Sequence, residues 1–536
     1  MKKKFIATLL SMSLVFSLVG CSSKADTTTK TNEIKQEQKT EAKKPTIQDG
    51  GTFIFSSDSD PLTLNPLYMG DRSSHMVNNA IFDSLFTEHD GKITYHLAKE
   101  LKISDDMKTY TVILKDNLEW HDGNKITADD IVFTCNTILN SKGTTGAREN
   151  FVINDKEVKV SKKDDLTVEF KLPEVYVPFK AALTDFRPIP KHVFEKEKDI
   201  AKAEASTSKP IGSGPFKFKE WKKGEMLTLE RFDDYYAGKP HMDKVVFRII
   251  TDDNSSGLAF QNGEVSATYV SDESYLKYSK DDKFKDYSYP EGMTYYMALN
   301  VKNPILSKKE VRQAIAYALN KEEIIKSYST EELTKKAYSV FPPSTFSYTE
   351  DIEKYNHDLD KAKELMKKSG VTKDNLKFLY PSGGGLAKKI ALVVQQQLKE
   401  IGLDIDLVSL DSKVFYEKIM GKKARDFDLT LNGYVFGDEP STYSNAFYTN
   451  STFNASQYSN KELDKLFDEG KVEKDSNKRK EIYENIQKTI ADDLPVYTID
   501  YPTSKVVTQN NLGGVEEARL VPIYMFEDLS KLYFTK

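Results

Sequence analysis

A strand, a turn and a helix follow one another in residues 109–139, which read TYTVILKDNLEWHDGNKITADDIVFTCNTIL. The first six residues, TYTVIL, alternate as a β-strand does, and the HDG that follows Trp120 predicts a turn. Thr127 and Asp130 have the spacing of a capping box, so we expect a helix to begin there. The stretch therefore predicts a strand–turn–helix unit.

The same elements recur on both sides of this unit. Upstream, the TFIFSS after Gly51 predicts a strand, and the segment from Ser74 to Phe86 has helical spacing. Downstream, strands are predicted for LKFLY and LDIDLV, with a helix from Leu386 to Ile401 between them that ends at Gly402. Alternating strands and helices predict an α/β fold.

The first residues, MKKKFIATLLSMSLVFSLVGC, have the features of a secretory signal peptide. A basic head precedes a short apolar core, which is too short to span a bilayer comfortably. The ending LVGC resembles the bacterial lipobox, which implies cleavage after residue 20 and lipidation of Cys21. The alternative is an ordinary signal peptide with a chance cysteine. Residues 21–48 are polar and poor in large apolar side chains, so we expect a lipidated cysteine followed by a flexible tether.

Composition limits the classes of protein that fit. A chain of 536 residues should form two or three domains, and its 39% hydrophobic and 30% charged residues are typical of globular proteins. A net charge of -5 gives no basic stripe for nucleic acid. With Cys21 lipidated, Cys135 has no partner for an intramolecular disulfide, and its apolar surroundings predict a buried side chain.

Further motifs follow the WHDG and TADD of the opening stretch in a recognisable order. They are PIPKHVF (188–194), PIGSGPFKFKEW (210–221), the long segment from Gly292 to Ile325, and YNHDLDKAKELMKKSG (355–370). In these, Ser307 and Glu310 are expected to cap one helix and Gly370 to end another. With these motifs in this order, the chain resembles the family-5 extracellular solute-binding proteins, the oligopeptide, dipeptide and nickel receptors of bacterial ABC importers.

The resemblance implies a periplasmic-binding-protein-like fold of class II, or cluster C. Two α/β lobes are joined by a hinge, and an extra domain is inserted into the first lobe. Hinge closure around a ligand is the motion expected of such proteins. Carried onto this chain, the implied boundaries are 49–95, 208–287 and 502–536 for lobe I, 96–207 for the inserted domain, and 288–501 for lobe II.

The resemblance places the ligand at NGYVFGDEPSTYSNAF, residues 432–447. In the family, a Gly-aromatic pair leads into a loop whose acid, before a proline, binds the amino terminus of a peptide. Gly433-Tyr434 and Glu439 stand at those places, with Tyr for the frequent Trp and Glu for the frequent Asp. Asp438 is adjacent, so the choice between the two acids stays open. The alternative is that both are solvated loop acids.

Other ligand-binding candidates have weaker support. Asp60 lies in the first loop, where the family's lobe I meets the ligand backbone, or is simply a turn residue beside Pro61. Asn454 matches a position where family members carry a ligand-contacting amide. Tyr443 and Tyr497 are candidates for the cleft wall, although a single aromatic residue is more often part of the core.

The sequence shows no catalytic or metal-binding motif. The seven histidines are scattered, and neither HExxH nor CxxC occurs. His121 and His192 are predicted to be fold residues. The GSG at 212–214 is not a nucleophile elbow, and the PSGGG at 381–385 lacks the phosphate-loop signature. We therefore expect no enzyme activity, no cofactor and no metal.

The function that the resemblance implies is a lipid-anchored receptor on the extracytoplasmic face of the cell membrane. It would capture oligopeptides in an interlobe cleft and deliver them to an ABC permease with cytoplasmic ATPases, acting as a monomer. One alternative keeps the fold but binds a nickel complex, a saccharide, an opine or a signalling peptide. Another is an extracellular hydrolase or a chaperone-like lipoprotein.

Overall fold

The computed structural model describes residues 46–89, 91–141, 145, 147–330, 332–372, 374–382, 385–420 and 425–536. These residues belong to one compact unit. The predicted signal peptide, Cys21 and most of the predicted tether lie outside them. None of the helices in the described ranges is both long and apolar enough to cross a membrane.

Two large mixed sheets organise the described chain. Sheet A has seven strands in the spatial order Phe216–Lys222, Met226–Arg231, Lys244–Ile249, Thr52–Ser57, Ala267–Tyr269, Thr503–Gln509 and Phe284–Pro290. Sheet B has six, in the order Lys335–Lys336, Val496–Tyr501, Tyr295–Leu299, Leu429–Asn432, Asp374–Pro381 and Leu403–Leu410. Both combine parallel and antiparallel pairs.

Smaller sheets accompany them. Sheet C has the order Ala98–Ile103, Thr109–Leu114, Thr167–Lys171 and Lys159–Asp164. A three-stranded sheet joins Ile47–Gln48, Tyr533–Thr535 and Leu512–Gly513. Two-stranded pairs are Phe86–His89 with Lys92–Tyr95, Val152–Ile153 with Lys156–Glu157, and Leu520–Val521 with Met525–Phe526.

Helices cover the sheets and fill the connections. The α-helices are Arg72–Ile81, Ala128–Asn140, Phe179–Leu183, Lys191–Phe194, Glu204–Thr207, Asp253–Gln261, Asp272–Tyr278, Lys309–Ala318, Lys321–Lys326, Leu359–Ser369, Leu386–Lys399, Ser412–Ile419, Ser444–Phe447, Lys461–Val472, Ser476–Asp493 and Val515–Ala518. Short 3₁₀ helices are Arg148–Phe151, Ile200–Lys202, Pro440–Tyr443 and Leu529–Lys531.

The strand–turn–helix unit that opened the sequence analysis folds as predicted. Residues Thr109–Leu114 form a strand of sheet C. Both hydrogen bonds of the predicted capping box are present. The Thr127 side chain accepts from the backbone N–H of Asp130, and the Asp130 side chain accepts from the backbone N–H of Thr127. Cys135 is completely buried in the helix that follows, and this burial raises the pKa of its thiol. Local chemistry therefore determines this unit.

The turn of this unit binds another of the recognised motifs. The His121 backbone N–H donates to the Gly212 carbonyl at 2.8 Å. In the ring, Nδ1 accepts from the Gly212 N–H at 3.1 Å, and Nε2 bonds the Gly214 carbonyl at 2.9 Å. A carbonyl only accepts, so Nε2 carries the hydrogen and the imidazole is neutral. His121 is thus a fold residue, as predicted, that ties WHDG to PIGSGP.

This neutral histidine should make stability depend on pH. Burial lowers the pKa of His121 from 6.5 to about 4. The folded state therefore binds fewer protons than the unfolded state, so the contribution is present above pH 6.5 and is lost as the pH falls toward 4. We expect the wild type to lose on the order of 2 kcal/mol more over this range than His121→Gln, in urea titrations. Parallel losses in the two proteins would contradict this role.

Three sequence predictions need correction at their ends. The helix predicted for Ser74–Phe86 spans Arg72–Ile81, because the Asp71 side chain caps it and Phe82 is already extended. Ser307 does not cap the helix Lys309–Ala318, whose N-cap is Lys308, since the Ser307 hydroxyl donates to the Pro304 carbonyl instead. The predicted tether joins the fold before residue 48, where Ile47–Gln48 pairs with the C-terminal strand.

Other predicted elements are confirmed. The two parallel strands Asp374–Pro381 and Leu403–Leu410 are joined by the helix Leu386–Lys399, the βαβ arrangement expected from the sequence. Gly370 ends its helix in the left-handed conformation, at φ 73°. A glycine adopts this conformation without steric cost, which is why it terminates helices.

The chain crosses between the two large sheets twice. It leaves sheet A after Pro290 and enters sheet B at Tyr295, and it returns between Tyr501 and Thr503. The Glu291 N–H donates to the Pro502 carbonyl at 3.0 Å, so the two crossings are adjacent. Within the described residues, the large buried clusters on the two sides share no side chain. Sheet B thus has a core of its own.

Candidate functional site

The predicted ligand loop begins beside the first crossing. It follows the strand Leu429–Asn432, and an isolated β-bridge pairs Val435 with Met293. A Cβ at Gly433 would lie 3.1 Å from the Tyr295 ring and 3.2 Å from the Thr294 carbonyl oxygen. A side chain there would therefore press on the crossing segment, and glycine keeps the loop and the crossing close together.

Three unpaired polar atoms surround Gly433. Thr294 Oγ1, Asn432 Nδ2 and Tyr434 Oη are buried and make no hydrogen bond of good geometry within the described structure, although the Asn432 side chain lies near enough to the Tyr434 hydroxyl to act on its pKa in the lowering direction. Thr294 is 2% exposed and Asn432 is 4% exposed. Buried polar groups are nearly always bonded, and each one left unpaired costs about 1–3 kcal/mol. One amide donor and two hydroxyls, which donate and accept, thus form a polar group beside the crossing.

The two acids of the loop have different environments. Asp438 is exposed, and its carbonyl accepts from the Phe346 N–H at 3.0 Å. Glu439 is half-buried, and its Oε1 accepts from Arg479 Nη2 and from the Ser441 N–H at 3.0 Å. Arg479 is itself buried and also donates from Nε to the Gly470 carbonyl at 2.8 Å.

Glu439 is thus not simply a solvated loop acid, and its contact with a ligand amine stays a prediction. A carboxylate in a buried ion pair already has its counter-charge. Arg479 was not found from the sequence, because its helix, Ser476–Asp493, begins SNKRKE and nothing local sets one basic residue apart. Asp438 is the more exposed of the two acids.

Aromatic rings fix the loop to the core of sheet B. The Tyr434 ring lies 5.1 Å from Phe436 and 5.4 Å from Phe453, and Phe436 lies 5.0 Å from Tyr443. Tyr443 is 2% exposed, lies with its ring 4.5 Å from that of Phe341 and is part of a hydrophobic cluster. Tyr443 is thus a core residue, and burial raises the pKa of its hydroxyl. Its contact with a ligand stays a prediction.

Two further candidates also have complete structural roles. The Asn454 amide is buried, donates to the Tyr448 and Tyr458 carbonyls and accepts from Ser456. Tyr497 is buried in sheet B, where its hydroxyl donates to the Leu319 carbonyl at 3.3 Å. These bonds give both residues a role in the fold, and their contact with a ligand stays a prediction.

Asp60 lies on the sheet A side. Its Oδ1 accepts from the Trp221 indole N–H at 2.8 Å, and its Oδ2 accepts from the Gly224 N–H at 2.8 Å. Both oxygens thus attach the first loop to the hairpin that follows PIGSGPF. Gly433, Tyr434, Asp438 and Glu439 lie together in one loop, while Asp60 holds a different part of the chain.

Buried charges lie at the second crossing. Lys505 Nζ donates to the Leu333 carbonyl at 2.8 Å and pairs with Asp272 Oδ1 at 3.2 Å. The Asp500 carboxylate accepts from Thr334 Oγ1 at 2.8 Å, and burial raises its pKa to about 6. The sequence analysis missed these residues because their partners are distant along the chain. They attach the strands on either side of the crossing to Asp272, at the start of the helix Asp272–Tyr278, and to Leu333 and Thr334, just before the strand Lys335–Lys336.

Two predictions about metal-binding and nucleophile motifs can be compared with the described part of the chain. No three His, Cys, Asp or Glu side chains there are grouped so that they could hold a metal ion. Ser213, in the GSG sequence, is completely buried, and its hydroxyl accepts from the Asp83 N–H at 3.0 Å. This serine is a structural residue, which agrees with the prediction that GSG is not a nucleophile elbow.

Two mixed β-sheets covered by helices, two adjacent chain crossings between them and a loop beside these crossings are the architecture of an extracellular solute-binding protein. The chain belongs to family 5 of these proteins, since the model of the bacterial extracellular solute-binding proteins, family 5 Middle, matches residues 92–455. The predicted family and its two-lobe α/β fold class are confirmed.

Relatives extend over most of the chain. The oligopeptide-binding protein AppA of Bacillus subtilis is 32% identical over 492 residues, which are 87% of this chain and 89% of AppA. The structure of the ABC transporter substrate-binding protein CtaP from Listeria monocytogenes has 44% identity and a TM-score of 0.88, covering 91% of this chain and all of CtaP. Bacillus subtilis AppA in complex with a nonapeptide has 29% identity and a TM-score of 0.77, covering 92% of this chain and all of AppA.

Proposed function

We propose that this protein is the substrate receptor of an ABC importer and captures oligopeptides outside the cytoplasm. The observation that carries the proposal is the group of unpaired polar atoms on Thr294, Asn432 and Tyr434. A peptide main chain offers alternating N–H and C=O groups, which an amide and two hydroxyls can bind. The similarity to AppA, whose structure holds a nonapeptide, supports the same ligand class.

Main-chain recognition of this kind would make the receptor tolerant of peptide sequence. Extended peptides bind sheet edges through backbone hydrogen bonds, and their side chains fall into pockets that set specificity. Asp438, exposed at the other end of the same loop, is the acid we propose for the peptide amino group. Charge-assisted hydrogen bonds of this type are stronger than neutral ones.

Closure of two lobes is the motion that would enclose the peptide. The proposed lobes are 49–95, 208–287 and 502–536 for lobe I, with 96–207 inserted, and 288–501 for lobe II. The two adjacent crossings, joined by the bond from Glu291 to Pro502, are the proposed hinge. A few residues at the ends of secondary-structure elements can absorb the backbone rotation of such closure.

Attachment to the membrane is proposed through Cys21. Two acyl chains on a lipidated cysteine give stable anchoring, and the polar segment after it would let the body reach the importer's membrane subunits. The proposed location is therefore the extracytoplasmic face of the cell membrane. A monomeric, non-catalytic receptor fits this role, with the permease and its ATPases as partners.

Native mass spectrometry of the chain from Ser22 onwards tests this function directly. We expect the purified protein to carry a spread of extra masses that match short peptides, and to lose them after denaturation and refolding. The refolded protein should then bind a mixed peptide library in calorimetry. A single non-peptide mass, such as a nickel complex, a saccharide or an opine, together with no binding from the library, would replace the peptide proposal by the alternative solute.

A further inference from the structure

We propose that the segment Tyr176–Val177 of the inserted domain is a latch, which holds the two sides of the molecule together while a peptide is bound and releases them when the cleft opens. The latch lies between the strand Thr167–Lys171 and the helix Phe179–Leu183. This inference rests on the proposed peptide-binding function and gives the inserted domain a part in it.

A backbone hydrogen bond joins the latch to the sheet B side. The Val177 N–H donates to the Lys471 carbonyl at 2.8 Å, and Lys471 lies in the last turn of the helix Lys461–Val472. The last four carbonyls of a helix have no partner within it, so this one is satisfied from outside. The core of the inserted domain is continuous with that of sheet A, whereas this helix packs in a cluster with residues of sheet B. The bond thus connects two sides with separate cores.

Two tyrosines of the inserted domain face a charged pair on the other side. Tyr176 is half-buried, and burial raises the pKa of its hydroxyl to about 12, with the charge of Glu439 adding to this rise and that of Arg479 opposing it. Burial also raises the pKa of Tyr110, in sheet C, to about 12, and the charge of Arg479 opposes that rise. These charges act at short range, so both tyrosines lie near the ion pair between Glu439 and Arg479.

The latch and the first crossing lie at opposite ends of the loop that begins at Gly433. At its start, Gly433 approaches the Tyr295 ring of the crossing segment. Further along the chain, Glu439 pairs with Arg479 beside the latch. The crossing is covalent and can only rotate, whereas the contact at the latch is not covalent. Rotation of the two sides about the crossings therefore separates them at the latch.

The contacts of the latch suit an attachment that forms and breaks. Water hydrates the Val177 N–H and the Lys471 carbonyl once they separate, so the net contribution of their hydrogen bond is modest. The buried Tyr110 hydroxyl makes no hydrogen bond within the described residues. A polar group buried in this way costs free energy, which opening of the latch relieves. A ligand that binds the closed state offsets this cost, and the latch is thereby coupled to binding.

Hydrogen exchange at Val177 tests whether the latch opens. The wild-type chain from Ser22 onwards is measured with the peptides that it retains on purification, and again after denaturation and refolding have removed them. We expect the Val177 amide to exchange at least roughly tenfold faster in the peptide-free protein, because its acceptor is then withdrawn. The Leu172 amide is the internal control, since it donates at 2.8 Å to the Lys108 carbonyl within the inserted domain and should not change.

Truncation of the Tyr176 ring tests whether the latch slows release. Native mass spectrometry follows the loss of bound peptides, loaded from a mixed peptide library, after dilution of wild type, Tyr176→Ala and Tyr533→Ala. We expect Tyr176→Ala to release peptides at least about tenfold faster than wild type. Tyr533 is also half-buried but lies on the sheet A side, with its ring 5.7 Å from that of His241, so its truncation should keep the wild-type rate.

The outcomes separate the latch from the proposed function. Val177 exchange that does not respond to peptide removal, or a release rate in Tyr176→Ala equal to that of wild type, would overturn the inference and leave the proposed function intact. The exchange experiment uses the wild type, so it decides the matter even where the variant does not fold. A wild type that neither retains peptides nor binds the library would overturn the proposed function, and the latch with it.

Discussion

Replacing Gly212 with alanine is expected to lower the free energy of unfolding by about 3 kcal/mol or more. A Cβ at this position would lie 2.0 Å from the Ile81 carbonyl oxygen and 2.8 Å from its carbonyl carbon. Backbone atoms cannot rotate away as a flexible side chain can, so the two segments must separate. The separation would also strain the bonds between His121 and Gly212.

Urea unfolding followed by tryptophan fluorescence measures this loss, because the two tryptophans, Trp120 and Trp221, both lie in the cluster that contains sheets A and C. Gly70→Ala is the matched control, since a Cβ there meets nothing within 4 Å. We expect the control to change stability by less than about 0.5 kcal/mol. Equal midpoints for the two variants would show that the close approach at Gly212 carries no energy.

Replacing Arg479 with methionine is expected to destabilise the protein by about 3–5 kcal/mol. The guanidinium is the counter-charge of Glu439 and is 8% exposed in its side chain. Methionine leaves the glutamate buried and unpaired, and the Gly470 carbonyl also loses its donor. Adding Glu439→Gln should recover part of the loss, because the uncompensated charge is then removed.

Thermal unfolding by circular dichroism is suited to this measurement. The pair lies on the sheet B side, whereas both tryptophans lie on the side of sheets A and C. The neighbouring Lys480→Met is the control, since Lys480 is 55% exposed and its contact with Glu484 is 3.7 Å long. Exposed pairs contribute little, so the control should lose less than about 0.5 kcal/mol. A similar loss in both variants would show that the buried pair contributes no more to the free energy of unfolding than an exposed pair does.

The ion pair between Glu439 and Arg479 also allows binding experiments to distinguish the roles of Asp438 and Glu439. Glu439→Gln is expected to lower stability but to keep peptide affinity, because its partner is Arg479. Asp438→Asn is expected to weaken peptide binding by at least about tenfold, if it holds the ligand amine. The reverse pattern would show that Glu439 leaves Arg479 for the ligand when the cleft closes.

Much of the fold follows from short stretches of sequence. The strand at Thr109–Leu114, the capping box at Thr127 and the helix end at Gly370 are all as predicted. Each depends on residues within one helical turn of one another. The prediction fails at Ser307 for the same local reason, since the Pro304 carbonyl three residues earlier takes the hydroxyl that would have capped the helix.

The candidate site was predicted only in part. Gly433, Tyr434 and the two acids share one loop, so a sequence motif could locate them together. Thr294 and Asn432, whose buried polar atoms lie beside this loop, were not among the predicted residues, although Asn432 gives a signal as the polar end of the buried strand LTLN. The partners of Asp60 and Asn454 are formed by folding, and no pattern near either residue indicates them.

The sequence by itself determined the elements, their order and the family, because these depend on local backbone preferences and on motifs of neighbouring residues. Only the tertiary structure decided which side chains are committed to the fold. Glu439 pairs with Arg479 40 residues away, and Asp60 holds Trp221 161 residues away. Such contacts depend on how sheets and helices pack. A carboxylate that forms a hydrogen bond in this way already has a partner in the fold, which the sequence alone does not indicate.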